Sequence, residues 1–356
     1  MRFLLAFDSY KGCLTSQQAA QAAAGPLQAA GHSVHTLVLS DGGEGWCEAW
    51  HALSGGTWHT VPVHDPLMRR IEARYLVTPH GTAYLESAAA CGLHLLAPAE
   101  RNPMKATSYG LGELIAHAVL GGARRLVVGL GGTATCDCGI GMLHALIHLF
   151  ARGKQFADAR ATVLGRCRFI AATDVTAPLC GEHGATYTFG PQKGADAEML
   201  VLLEAGMAHF AQVLTQFCGI PVADLPGSGA AGGLGAALRA FLGGRLMPGA
   251  ELLLDSVGFD ELLKEADIVL TGEGRIDWQS AHGKVPGTVG LRCKAAGVPC
   301  AALCGSVGKG ADALYDCGIS AIFSAVQGVC TFEEVRETSA ASLEFLADAV
   351  LRLLTL

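Results

Sequence analysis

The sequence predicts an α/β fold in two domains, and three observations carry that prediction. The chain has 356 residues, whereas a single hydrophobic core rarely grows past roughly 250 to 300. Short apolar runs of strand length end repeatedly in glycine turns bearing Asp or Glu, each followed by a helical pattern. Residues 61–85 break that rhythm with shorter alternating segments punctuated by Pro62, Pro66 and Pro79, which predicts antiparallel strands and a domain boundary near residues 60–70.

Composition fits this class. Hydrophobic residues make up 51%, charged residues only 16%, and 47 glycines imply many tight loops. The net charge of −7 and the lack of a basic stripe exclude a nucleic-acid binder, which needs clustered Lys and Arg. The apolar start at residues 1–7 is too short for a signal peptide and has no cleavage pattern, so a cytoplasmic location is expected. No membrane span is expected, because Asp137, glycines and the Arg124–Arg125 pair break residues 126–150 into short elements. The 13 cysteines lack the spacing of a disulfide framework and read as reduced thiols, and Cys136-x-Cys138 has the wrong gap for zinc.

Residues 2–7 form a strand pattern ending in Asp8-Ser9-Tyr10-Lys11-Gly12. A carboxylate, a hydroxyl and an ammonium thus stand at a strand's carboxyl end, where open α/β sheets bind ligands. Thr15 or Ser16 caps the next helix, which is expected to be interrupted near Gly25-Pro26. A second strand, 34–39, ends in Ser40-Asp41-Gly42-Gly43-Glu44-Gly45. Arg101-Asn102-Pro103 and Thr107-Ser108-Tyr109-Gly110 precede a helix over 111–120.

The organising stretch is 126–150: a buried strand, then Gly129-Leu-Gly131-Gly132-Thr133-Ala-Thr-Cys-Asp137-Cys-Gly-Ile-Gly141, then a helix. Glycines permit positive φ and close approach of backbone to a ligand, and a helix start offers free N–H groups to an anion. Asp137 in that loop is either a helix cap or a group aimed at a metal or hydroxyl.

Strand 168–173 delivers Asp174, and Phe189-Gly-Pro-Gln-Lys193-Gly sets a lysine between glycines. Residues 197–218 read as one long amphipathic helix. Gly227-x-Gly229-x-x-Gly232 has dinucleotide-fold spacing, yet neither the preceding strand nor a downstream acidic ribose partner is present. The motif therefore keeps an anion-cradle reading and loses an NAD reading.

Strand 267–270 ends in Thr271-Gly-Glu273-Gly-Arg275-Ile-Asp277, with His282-Gly-Lys284 soon after. Charges packed so tightly into a glycine turn are costly unless they bind something. Strands at 299–304 and 321–326 and a closing helix at 331–354 complete the pattern.

Carboxylates at strand ends suit magnesium, a hard cation that takes oxygen ligands, and loop Lys and Arg suit phosphates. No Walker motif, protein-kinase signature, Gly-x-Ser-x-Gly elbow or zinc-type His pair occurs. Residues alone thus lead to an α/β enzyme acting on phosphate or acidic substrates.

As a set, the motifs closely resemble the type I glycerate kinases. The matching blocks are Asp8–Gly12, Asp41-Gly-Gly-Glu-Gly45, Arg101-Asn-Pro103 with Thr107–Gly110, Gly129–Ala134, Thr173-Asp-Val175, Phe189–Gly194, Gly229–Gly235 and Thr271–Asp277. The resemblance implies ATP- and Mg2+-dependent phosphorylation of D-glycerate, with 2-phosphoglycerate as the product of the better-known members. It also implies a flavodoxin/Rossmann-like domain with a parallel sheet at 1–62 plus 262–356, an inserted mixed-sheet α/β domain at 63–261, and an active site in an interdomain cleft. Tyr10 stands where Phe is usual, Cys136 and Cys138 where Asn and Gly are usual, and Cys304 where Ala is common.

On this resemblance Asp174 or Asp277 is the base, and Lys11 and Lys193 act on the transferring phosphate. Asp8, Arg101, Glu273, Arg275 and Ser108 contact substrate, with Arg101 and Arg275 matched to the glycerate carboxylate. Gly129, Gly131, Gly132, Thr133, Gly229, Gly232, Gly233 and Lys284 bind ATP, and Asp41, Glu44 and Asp137 bind the metal. The partner expected is D-glycerate, with no nucleic acid and no membrane, and a homodimer left open. The rivals are the same kinase giving 3-phosphoglycerate, an NAD-dependent dehydrogenase of acidic metabolites, and a non-catalytic carboxylate sensor.

Overall fold

The computed structural model describes residues 1–326 and 328–355. It divides into two compact units, Met1–Asp41 with Gly249–Leu356, and Gly42–Pro248. Both junctions lie ahead of the expected 62/63 and 261/262. Strand Thr57–His64 pairs along its whole length with Arg70–Val77, which draws it into the second unit. Helices Gly249–Val257 and Phe259–Leu263 pack on Val285–Ala296, which draws them into the first.

The first unit is built on a five-stranded sheet in the order Ala321–Ser324, Cys300–Cys304, Ile268–Gly272, Arg2–Phe7, Ser33–Val38. Every pairing is parallel, with Phe3 opposite Ile268 and Phe7 opposite Gly272. Numbered along the unit, the order is 2-1-3-4-5, the flavodoxin-like arrangement, which reverses between Arg2–Phe7 and Ile268–Gly272. The central strands are mainly apolar, as strands buried on both faces of a parallel sheet are: Phe3, Leu4, Leu5, Ala6 and Phe7 are all buried.

Helix Ser16–Ala29 starts at a capping box between Thr15 and Gln18 and packs on Phe332–Leu354, which starts at one between Thr331 and Glu334. Ala19, Ala20, Ala23 and Leu27 share a core with Leu343, Leu346, Ala347 and Val350. The expected interruption at Gly25-Pro26 does not occur. Pro26 gives up its own amide bond, but its carbonyl still accepts from Ala30 N, and the buried Leu27 anchors the last turn.

The second unit has a six-stranded sheet in the order Thr57–His64, Arg70–Val77, Thr82–Glu86, Arg125–Gly129, Arg168–Ala172, Arg245–Met247. The first two pairings are antiparallel, as the alternating sequence implies, and the rest parallel. Glu86, Gly129 and Ala172 end their strands in register, so the segments that follow share one edge of the sheet. Helix Ala197–Cys218 forms as expected and buries Leu203, Met207, Ala211 and Leu214 in this unit's core. All thirteen cysteines are free thiols.

Candidate active site

In the first unit the two strands flanking the reversal each deliver a buried carboxylate. Asp8 follows Arg2–Phe7 and is 1% exposed; Glu273 follows Ile268–Gly272 and is 5% exposed. The Asp8 amide donates to the Gly272 carbonyl at 2.9 Å, locking the turns together. Asp8 Oδ1 accepts from Ser9 N at 2.6 Å, while Oδ2 is buried without a hydrogen-bond partner. Burial, reinforced by the charge of Asp41, raises the Asp8 pKa well above the carboxylate range, against the pull of Lys11.

Glu273 is held more fully. Ser280 Oγ donates to Oε1 at 2.5 Å and Lys284 Nζ to Oε2 at 3.3 Å, yet burial still raises its pKa on balance. Lys11 Nζ lies 3.9 Å from Asp41 Oδ2. Tyr10 turns inward and donates to the Leu303 carbonyl at 2.5 Å. Its hydroxyl stands 2.7 Å from where a Cβ on Gly272 would be, and the Leu303 oxygen only 1.7 Å away, so position 272 must be glycine. A cavity of about 920 Å³ opens beside these turns, and Lys11, Glu273, Arg275 and Lys284 are among the residues that line it.

Asp277, one of the two expected bases, caps a turn. Its Oδ1 accepts from Gln279 N at 2.9 Å and its amide meets Ser280 Oγ at 3.1 Å, a cap on the turn Trp278–Ala281. Its Oδ2 lies 3.8 Å from Nε of the exposed Arg275.

The second unit gathers cations and hydroxyls. Lys193 is 4% exposed and donates to the Thr135 carbonyl at 2.7 Å and Thr133 Oγ1 at 3.4 Å; burial lowers its pKa. Gly194, at φ +94°, lets the Arg101 carbonyl approach to 2.4 Å from its would-be Cβ, so Arg101 adjoins the Lys193 turn. Arg101 Nε, Thr135 Oγ1 and Ser87 Oγ are buried without partners, unusual for polar atoms. Asp174 follows Arg168–Ala172 half-buried, and Glu44 is exposed in the turn before Trp46–Ser54.

Ser108 and Asp137, expected on substrate and metal, clamp two segments together. Asp137 Oδ2 accepts from Ser108 N and Oγ, both at 2.8 Å, and from Gly141 N at 3.0 Å; Oδ1 accepts from Gly139 N at 3.1 Å. Ser108 Oγ accepts from Met142 N at 2.9 Å. Of the two readings open for Asp137, this geometry is the cap.

Several of the glycines expected to cradle phosphate are also required by loop packing. A Cβ on Gly232, at φ +66°, would lie 1.9 Å from the Thr135 carbonyl, and on Gly229 2.1 Å from that of Pro178. On Gly233 it would meet Cys138 Sγ at 2.8 Å. Gly129 and Gly131 are pressed against Gly42 and Gly43 in the same way, whereas Gly132 has Ala88 Cβ at 3.6 Å as its nearest neighbour. Ser280 and Thr135 escaped the sequence reading. The Asp277-x-x-Ser280 spacing of a capping box was the available signal for the first; nothing local marked the second.

Among the described residues no group of three or more His, Cys, Asp or Glu side chains is arranged to hold a metal by itself. The sequence profile of the Glycerate kinase family matches residues 3–355. A glycerate kinase of Halalkalibacterium halodurans is 38% identical over 96% of this chain and 95% of its own. The glycerate 2-kinase of Escherichia coli K12 is 36% identical over 94% and 93%. A crystal structure of a glycerate kinase 2 from Salmonella typhimurium LT2 superposes with a TM-score of 0.79 at 36% identity, covering 100% of this chain and 98% of that one.

Proposed function

The chain belongs to the glycerate kinase family, and from that premise we propose that it transfers the γ-phosphoryl group of ATP to the 2-hydroxyl of D-glycerate. The observation that carries the reading is the Asp8 carboxylate at the switch point of the parallel sheet, buried with one oxygen unpartnered, with the charges of Asp41, Lys11 and Glu273 acting on it. Ligands of open α/β sheets bind at such points. The 2-position follows the relative named glycerate 2-kinase.

The donor set fits a divalent cation. Kinase magnesium is usually held by one or two carboxylates while phosphates and water complete its shell, and Asp8 offers a buried oxygen that no protein donor uses. Asp8 and Asp41 would hold the ion, which when bound neutralises phosphate charge. Asp137 leaves this role because its oxygens are occupied by its own loop, and Glu44 because it is exposed.

Lys11, Lys284 and Arg275 neutralise the phosphates from the first unit. Arg101 and Lys193 hold the substrate carboxylate, the guanidinium matching it bidentately. Asp174 takes the hydroxyl proton, since the Asp277 Oδ1 is engaged as a cap. The test is phosphorus NMR of the product from ATP, Mg2+ and D-glycerate. A 2-phosphate couples to one carbon-bound proton and gives a doublet; a 3-phosphate couples to two and gives a triplet. Glycerate binding without turnover would favour a sensor.

A further inference from the structure

We propose that Arg69, with Glu100 as its partner, is a positioning residue for substrate binding: it fixes the segment that carries Arg101 and, through it, the grip on the substrate carboxylate. The inference rests on the reading of Arg101 as a carboxylate ligand and assigns to it a support that lies outside the site.

The support starts from a turn. Residues 65–69 join strands Thr57–His64 and Arg70–Val77, and Met68 among them sits at φ +63°, a backbone that side chains rarely adopt. The turn is held from within. Buried Asp65 accepts from Leu67 N at 2.8 Å and Arg69 N at 2.9 Å through Oδ1, and Asp65 N donates to the Arg69 carbonyl at 2.8 Å. Closing the hairpin therefore leaves most of the Arg69 guanidinium to spare. Its Nε pairs with Asp65 Oδ2 at 2.6 Å, whereas Nη1 reaches Glu100 Oε1 at 2.7 Å and Nη2 the Leu95 carbonyl at 3.2 Å. A planar guanidinium with three nitrogens engaged fixes position and direction at once, which an ammonium could not.

That fork pins residues 95–100, from which the chain runs directly into Arg101. Glu100 is itself fixed, its Oε2 accepting from Ala97 N at 3.0 Å, and the Arg101 amide donates to the Pro98 carbonyl at 3.4 Å. The far end of the same loop is tied to the same turn, where Thr107 N donates to the Pro66 carbonyl at 2.9 Å. Between these ties Leu67 packs on the cluster of Leu96, Ala106 and Ala134. Ala134 stands between Thr133 and Thr135, the two acceptors of Lys193. One hairpin turn thus underlies both cations assigned to the carboxylate. Arg101 needs such a base, since its Nε is buried with no partner and its aim depends on where the backbone carries it.

Arg69→Ala and Glu100→Gln, each made in the wild type and in Arg101→Lys, test the assignment by double-mutant cycles. D-glycerate affinity from titration calorimetry and steady-state KM and kcat are read for each, with the melting temperature as control. Glu100→Gln alters a solvent-accessible side chain and keeps an oxygen for Ala97 N, so it spares the fold even where Arg69→Ala does not. In the wild-type background both should weaken D-glycerate binding and raise its KM on the order of fivefold, with kcat and the ATP KM retained. In Arg101→Lys the same changes should add less than about twofold, because what they position is already gone, whereas a purely structural loss is equal in both backgrounds. Equal weakening in the two backgrounds, or none in either, overturns the positioning role alone. An Arg101→Lys protein that binds D-glycerate as the wild type does refutes the carboxylate reading and this proposal with it. Coupling in the binding data from a protein that makes no phosphoglycerate upholds the positioning role and refutes the kinase reading.

Discussion

Asp8 and Glu273 leave neighbouring parallel strands as buried carboxylates, one lacking a partner for Oδ2 and the other gripped by Ser280 and Lys284. Burial raises both pKa values. A carboxyl with a raised folded pKa contributes stability below the ordinary carboxylate range and loses it as pH rises through the folded value. In EDTA, Asp8→Asn should therefore match the wild type near about pH 4 and melt higher as the pH rises toward neutrality, while turnover collapses. Melting curves that stay parallel across pH would show that Asp8 carries no such burden.

Asp174 and Asp277 separate by the same substitution. Loss of a general base costs on the order of 10²- to 10⁴-fold in kcat. Asp174→Asn should fall in that range. Asp277→Asn should keep most of its turnover and lose on the order of 1 kcal/mol from a weakened cap. Steady-state rates and thermal melts on both variants decide it, and equal kinetic losses would restore Asp277 as a candidate.

Gly232 tests whether the second glycine loop serves packing or phosphate. Gly232→Ala places a methyl against the Thr135 carbonyl at a left-handed φ, so it should destabilise by upward of about 2 kcal/mol. The folded fraction should keep its ATP KM. A stable variant with a raised ATP KM would return the loop to the nucleotide.

These contrasts mark what the sequence could convey. Strands such as Arg2–Phe7 and Ile268–Gly272 were legible because a strand buried on both faces must be apolar throughout, and the acidic turns were legible because charge beside glycine stands out from such runs. The same letters could not say which glycines face ligand. Gly232 and Gly132 both sit at positive φ, but one is wedged against backbone and the other is not, a distinction set by which distant loop lies above. Asp137 is likewise ambiguous until Ser108, far off in sequence, arrives to fill its oxygens. Cys138 makes the converse point. A cysteine where glycine is usual still adopts φ +52°, because its amide is fixed to the Gly232 carbonyl at 3.0 Å.

Asp137→Ala removes an acceptor shared by three backbone amides and one hydroxyl. Each hydrogen bond to a charged group contributes roughly 1.5 to 3 kcal/mol, so the melting temperature should fall sharply. The Mg2+ concentration for half-maximal rate should not move in the protein that remains folded. A metal ligand would behave the other way, shifting the Mg2+ requirement with the fold intact.

Arg101 and Lys193 make the last case, since the turn holding Lys193 is built against the Arg101 backbone, the Lys193 side chain is buried and so is Arg101 Nε. A buried ammonium with a lowered pKa destabilises the fold as pH falls through that value, because folding then carries the cost of the charge. An anion offsets that cost. D-glycerate should therefore raise the melting temperature of the wild type, and Lys193→Met should melt at least as high as the wild type without ligand while losing the glycerate-induced rise. Arg101→Lys keeps the charge but not the planar pair of donors, so it should raise the KM for D-glycerate by about 10-fold or more, with the ATP KM unchanged. If the glycerate-induced shift survives in both variants, the carboxylate is held elsewhere, and the buried lysine serves only to tie Thr133 and Thr135 in place.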